Sequence, residues 1–310
     1  MTRWLVGIWA AVALAAPAVA AKRIALSFDD VPRHAGAFYT PDERSRRLIS
    51  ALRAARVRQA AFFVTPGNLE KKDGQGGEAR IDAYVRAGHV IANHSFSHKW
   101  LSRTAATDYL ADVDRAADWL KGRPGYRPWY RYPFLDEGRR DLTKRAEVRA
   151  GIAARGLTNG YVTVDNYDWH LDSLASKAKS AGRDIDLAAL RDLYVETLVG
   201  AAEFYDRIAR DALKRQPIQV LLLHETDLNA MFVADVVAGL RKAGWKIVTI
   251  DRAYRDPIAV REPNGWFTNG GRVAALAQDS GRVPKHLIDP RTDEAVLTAL
   301  FDARVLRKTP

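Results

Sequence analysis

The chain has 310 residues, is 47% hydrophobic and 27% charged, and carries a formal net charge of +11. That balance belongs to an ordinary globular protein and suits one large α/β domain or two small ones. The absence of any cysteine excludes a thiol nucleophile, a cysteine-ligated zinc, a disulfide and a lipoprotein anchor, and no segment has the form of a nucleic-acid-binding motif.

The N-terminus reads as a secretory signal. Arg3 precedes an apolar run from Trp4 to Pro17, which leads into Ala18-Val19-Ala20, a small-x-small cleavage site. The rival is an uncleaved anchor, since Trp4–Ala21 is nearly long enough to span a bilayer, but the alanine-rich run and the A-x-A site favour cleavage. The mature chain is then expected to begin at Ala21, exported to the periplasm or medium, with no stable membrane insertion. Residues 1–20 contain one basic residue, Arg3, and no acid, so their removal takes the net charge from +11 to +10. Such a charge would draw the protein to anionic envelope polymers. Acidic residues interspersed with the basic ones make plain solubility an equal explanation.

Beyond the signal, short β-rich runs alternate with longer amphipathic ones. The expected strands are Arg23–Phe28, Gln59–Val64, His89–Ala92, Trp129–Tyr132, Gly160–Val164, Ile218–Leu223 and Lys246–Ile250. The expected helices are Pro41–Arg56, Glu78–Ala87, Ala105–Lys121, Asp141–Arg155, Asp186–Lys214 and Ala230–Ala243. Thr40-Pro41-Asp42-Glu43 is a capping box with proline at the first helical position, and Gly88, Gly156 and Gly244 stand where helix C-caps are expected. Val220–Leu223 is apolar throughout, as a strand buried on both faces of a parallel sheet must be. Asp172–Arg183 reads as a loop over the cleft, and a terminal helix is expected near Asp289–Ala303 with Pro290 at its start.

Periodicity alone leaves a closed barrel and an open doubly wound sheet as alternatives. Either places ligands at the carboxyl ends of the strands. Five of the seven strands run there into chemically capable residues: Asp29-Asp30, Asn93-His94, Arg131, Asp165 with Asp168, and His224-Glu225. Each has an ordinary reading by itself. Asp29-Asp30 would serve as a polar turn, Arg131 as a structural ion-pair partner, and His224 as a satisfied core histidine. His94 and His98 have the i, i+4 spacing that puts two imidazoles on one side of a helical turn, a weak motif alone.

Together and in this order, SFDD, HSFSH, RYPF, DNYDW and LLLH form the five-motif pattern of the polysaccharide deacetylases, the NodB-homology or chitooligosaccharide deacetylase family, which the chain resembles from Ile24 to Ala253. The resemblance implies a distorted (β/α)7 barrel with parallel strands. It divides the chain into a signal peptide (1–20), a catalytic domain (21–256) and a peripheral C-terminal extension (257–310). It further implies that Asp30, His94 and His98 ligate one divalent metal. Zinc is favoured, although the same oxygen and nitrogen donors also admit cobalt or another first-row ion. Asp29 matches the general base, Arg131 the arginine that orients it, His224 the general acid and Asp168 the carboxylate that holds the acid's imidazole. A backbone N–H near Phe134 matches the oxyanion donor, and Trp169 and Leu222 match the apolar walls around the acetyl methyl.

The implied activity is removal of N-acetyl groups from the amino sugars of an envelope or extracellular glycan of peptidoglycan or chitin type, by a monomer. Two alternatives stand beside it: a metal-dependent hydrolase of a small non-sugar amide or imide, and a non-catalytic carbohydrate-binding relative. Ser27 stands where threonine is common, Val31 where glycine is common, and the RYPF motif lacks its usual second proline and trailing glycine. These departures are expected to bear on the substrate.

Overall fold

The computed structural model describes residues 21–307, so the expected signal peptide lies outside the described residues. The elements, in chain order, are β1 (Arg23–Val31), α1 (Pro41–Ala54), β2 (Ala61–Val64), α2 (Gly77–Arg86), β3 (Val90–Asn93), α3 (Ala106–Leu120), β4 (Tyr126–Tyr130), α4 (Leu142–Ala154) and β5 (Thr158–Asn159). They continue with α5 (Asp168–Ser180), α6 (Leu187–Leu213), β6 (Gln219–His224), α7 (Asp227–Lys242), β7 (Lys246–Ile247), α8 (Ile250–Ala253), α9 (Gly271–Asp279) and α10 (Glu294–Arg304).

Every strand pair is parallel, in the order β5-β4-β3-β2-β1-β6. The chain that follows β5 curls this sheet into a distorted barrel. Val164 forms a parallel bridge to Leu221, with Val164 N–H donating to Val220 O at 3.1 Å and Leu222 N–H donating to Val164 O at 3.1 Å. The segment 158–164 thus pairs with β4 at one end and β6 at the other. Within it Gly160 passes tightly over Phe63, where a Cβ would come within 2.6 Å of the ring. β7 lies off this path and pairs only with the base of β1, at Arg23–Lys246 and Ile24–Ile247.

Strand alternation divides the core into two layers. Ile24, Leu26, Phe28, Phe62, Val64, Leu221 and Leu223 face the surrounding helices. Ala25, Ala61, Phe63, Ala92, Val220 and Leu222 face the barrel interior. Both faces are buried, and each fully buried leucine or phenylalanine contributes about 1.5–3 kcal/mol. Three of these interior strand positions are alanine, at Ala25, Ala61 and Ala92.

The capping box is present: Thr40 Oγ1 accepts from Glu43 N–H at 3.3 Å at the start of α1. Local expectations fail in several places, and the expected strand Gly160–Val164 is one, since β5 covers only Thr158–Asn159. Asp172–Arg183 is not a loop, because α5 runs from Asp168 to Ser180; Leu171, Leu174, Ala175 and Ala178 give it an apolar stripe packed on the core. The terminal helix starts later than expected, at Glu294, where Asp293 caps it by accepting from Val296 N–H at 3.0 Å, and Pro290 lies in the preceding turn. Leu297, Phe301 and Val305 of this last segment join the main core, and Asp186 N–H donates to Val305 O at 2.9 Å. Among the described residues no helix is long and apolar enough to cross a membrane.

Candidate active site

β1 delivers two adjacent carboxylates to different places. Asp29 continues the inward alternation and is buried, whereas Asp30 adopts a left-handed backbone, φ 67°, which turns its side chain toward the cleft. Aspartate tolerates that region better than bulkier residues do. β3 delivers the histidines. HSFSH is a tight loop and not the helical turn expected from its spacing, because Ser95 and His98 both have positive φ, 63° and 55°. Three side chains hold it: Asn93 Oδ1 accepts from Ser95 N–H at 2.8 Å, Ser95 Oγ accepts from His98 N–H at 3.0 Å, and Asp112 of α3 accepts from the backbone of Phe96 and Ser97, each at 2.9 Å.

The loop brings the ligand atoms of Asp30, His94 and His98 within 4.8 Å of one another. The donor chemistry fits a divalent metal. His94 Nδ1 lies 2.9 Å from Arg131 O; a carbonyl only accepts, so Nδ1 carries the proton and Nε2 offers its lone pair. Burial pushes both imidazoles down to about 4, against the opposing pull of Asp30, so they are neutral at pH 7. Burial acts upward on Asp30, but His98 and Arg33 outweigh it and hold the carboxyl far below its ordinary value. Two neutral imidazoles and one carboxylate form a metal-ready set.

Asp29 is tied to Arg131, which is 1% exposed and comes from the end of β4. Arg131 Nη1 donates to Asp29 Oδ1 at 2.6 Å and to Ser27 Oγ at 2.9 Å. Its Nε donates to Gly160 O at 2.7 Å and its Nη2 to the Tyr254 hydroxyl at 2.8 Å, and its guanidinium lies 3.8 Å from the Phe63 ring centroid. Burial raises the Asp29 carboxyl, and Arg131 opposes that rise.

The third group is His224 with Asp168. His224 Nδ1 lies 2.7 Å from Asp168 Oδ1, while the other carboxylate oxygen accepts from His224 N–H and from Asn229 Nδ2, both at 2.8 Å. Asn166 Oδ1 accepts from Asp168 N–H at 2.9 Å and fixes the start of α5. Burial acts downward on the imidazole, but Asp168 prevails and His224 is pushed up to about 9. Nδ1 is engaged, which leaves Nε2 for the cleft.

Asp29, Asp30, His94, His98 and His224 line one cavity of about 470 Å³, with Phe134, Trp169 and Leu222 among its walls. Arg131 and Asp168 stand behind it. Phe134, 40% exposed, stacks on Trp100 at 3.7 Å and presents its ring to His98 at 4.4 Å, T-shaped. Several residues here escape sequence reasoning. Arg33 donates from Nη1 to Asp30 Oδ2 at 2.8 Å, and Asn269 and Glu294 of the C-terminal segment share the cavity with the strand-end Asp165, which burial pushes up to about 7. Tyr254 bonds Arg131, and Asn229 bonds both Asp168 and the His224 carbonyl. The Ser27 and Val31 departures do not reach the substrate side: Ser27 is buried against Arg131 and Val31 is in the core.

Residues 16–154 match the family model described as polysaccharide deacetylase. No curated protein matches the chain. Among solved structures, a family 4 carbohydrate esterase from Streptomyces lividans in complex with acetate is 19% identical, with a TM-score of 0.49, covering 75% of this chain and 95% of its own. The peptidoglycan deacetylase PdaC from Bacillus subtilis is 18% identical, with a TM-score of 0.49, covering 76% of this chain and 90% of its own. The match over residues 16–154 covers a little under half of the chain, and over that segment the sequence is similar to the polysaccharide deacetylase family.

Proposed function

We propose that this chain removes N-acetyl groups from the amino sugars of an envelope or extracellular glycan, using one divalent metal, zinc, at Asp30, His94 and His98. The observation that carries the reading is the convergence of two differently tuned groups on that ligand set within one cavity. Asp29 is held by Arg131 on one side and His224 by Asp168 on the other. When bound, the ion supplies Lewis-acid polarisation of the acetamide carbonyl and acidifies a water.

The chain's own residues do the rest. Asp29 takes a proton from the attacking water as the water oxygen bonds to the carbonyl carbon, and Arg131 keeps the carboxylate oriented and ionised. A backbone N–H near Phe134 bonds the oxygen on which negative charge develops. His224 delivers its Nε2 proton to the sugar nitrogen as the carbon–nitrogen bond breaks, releasing acetate and a free amine. Asp168 stabilises the imidazolium that donates. Trp169 and Leu222 enclose the acetyl methyl, and the catalytic unit spans 21–256, with 257–310 adding cleft residues at Asn269 and Glu294.

The expected signal sequence places this activity outside the cytoplasm, where such polymers lie. The test is incubation of metal-loaded protein with peptidoglycan, chitooligosaccharides and acetylated xylan, with acetate measured. Release from the N-acetylated glycans supports the reading. Release from xylan alone would make the chain an O-esterase, and release from none would return it to the small-amide or binding alternatives.

A further inference from the structure

A second groove opens beside the catalytic cavity, and the two share Arg33 and Trp169. It encloses about 400 Å³ between the loop 33–37 and one face of α5. Trp169, Asp172, Ser173, Ser176 and Ser180 supply the helical wall at i, i+3, i+4, i+7 and i+11, with Lys177 beside them. Ser176 Oγ is buried there without a hydrogen-bond partner.

The opposite wall is held firmly. Asp227 Oδ2 accepts from Phe38 and Tyr39 N–H at 2.9 and 3.2 Å, and Arg44 Nη2 donates to Arg33 O and His34 O at 2.7 and 2.8 Å. Gly36 lies so close to the Asp227 carboxylate that a Cβ would collide with it. Arg33 itself is anchored through its backbone N–H to Glu225 Oε2 at 2.7 Å. It uses Nη1 on Asp30 and has its remaining guanidinium N–H groups for a ligand.

The accessible charges of this groove are cationic. Lys177 makes no ion pair among the described residues, and Arg33 stands at the junction of the two cavities. Arg44 is buried and paired with Asp227 at 3.4 Å. The one acid in the lining, Asp172, lies on the floor and accepts from Leu228 N–H at 3.0 Å. An indole, three hydroxyls and two cations form a surface for a sugar that carries negative charge. Its ring would stack on Trp169, its hydroxyls would meet the serines, and its anion would face the guanidinium fork.

We propose that the groove is a subsite for a carboxylate-bearing sugar next to the acetamido sugar in the catalytic cavity, with Arg33 and Lys177 pairing that carboxylate. The proposal rests on the glycan reading above and makes the substrate an acidic, N-acetylated chain rather than a neutral one.

Equilibrium binding and acetate release are measured on metal-loaded protein with two tetrasaccharides. One alternates N-acetylglucosamine with N-acetylmuramic acid, and the other alternates it with glucuronic acid. Each is compared with its methyl ester, and binding is measured on Asp29→Asn to prevent turnover. At least one acid should bind about tenfold more tightly than its ester, the worth of one charge-assisted pair. Lys177→Glu, an exposed substitution, should erase that preference while leaving the affinity for neutral chitotetraose unchanged. Equal affinities for acid and ester in both series, or a preference that survives Lys177→Glu, overturns the subsite. Acetate release from chitotetraose without an acid preference leaves the deacetylase reading standing and removes this one. An acid preference without acetate from any glycan does the reverse.

Discussion

Asp29 and His224 are register partners across the parallel ladder of β1 and β6. Glu225 N–H donates to Asp29 O at 3.2 Å at the top of the same ladder, so the two groups share one rigid backbone frame. Each is tuned by a different neighbour, Arg131 for Asp29 and Asp168 for His224. Burial raises Asp29 against Arg131, and Asp168 raises His224 to about 9. Adjacent strands thus present a carboxylate able to take a proton and an imidazolium able to give one, which is the pairing that hydrolysis of an amide requires.

The pH dependence follows from that tuning. The folded value of His224, about 9, lies above the ordinary 6.5, so the group stays charged through neutral pH and loses its proton only on the alkaline side. Activity that uses the proton should fall as pH rises through about 9, and Asp168→Asn should move that limb downward. The same sign holds for stability: the His224–Asp168 pair stabilises fully below about 6.5, and its contribution is lost as pH rises through about 9. The Asp168→Asn/His224→Ala double variant should be scarcely slower than His224→Ala alone. Steady-state pH profiles and the double-mutant cycle check this, and fully additive losses would uncouple the two residues.

The ligand set makes a separate prediction. Replacing His94 or His98 by alanine removes one of three donors, so bound metal should fall from one equivalent to a small fraction, and a chelator should abolish turnover reversibly. Elemental analysis after gel filtration reads this directly. Unchanged metal content in both variants would remove the site from these residues.

Gly160 offers a test of the barrel closure. Alanine there would push its Cβ to 2.6 Å from the Phe63 ring, on the residue whose carbonyl holds Arg131 Nε. Overpacking of this kind costs about 1–3 kcal/mol, so urea denaturation should show that loss, together with lower activity as Arg131 shifts.

Export is read at the mature terminus. Mass spectrometry of protein from its native envelope should find a chain beginning at or near Ala21. An intact Met1 or Thr2 terminus on membrane-held protein would favour an anchor.

How far the sequence was legible depended on where each residue acts. Strand-end residues such as Asp30, His94, Arg131 and His224 stood out because alternation ends where the cleft begins. The barrel was readable as alternating elements, but its closure rests on one bridge at Val164 and on the two-residue strand Thr158–Asn159, too short to carry periodicity. α5 was hidden because serines and lysines crowd its exposed face while only four apolar residues mark the buried one. Asn229 and Tyr254 were silent because each works through a partner distant in sequence, Asp168 and Arg131 respectively. The left-handed turns at Ser95 and His98 carry no glycine to announce them.

The division of labour between Asp29 and Asp30 is tested most directly by Asp29→Asn, with bound metal and acetate release measured on the same sample. The variant should retain one equivalent of metal and lose activity by a factor of about 10²–10⁴, the usual worth of a general base. Loss of the metal would make Asp29 a ligand, and full activity with the metal in place would leave the reaction without the base assigned to it.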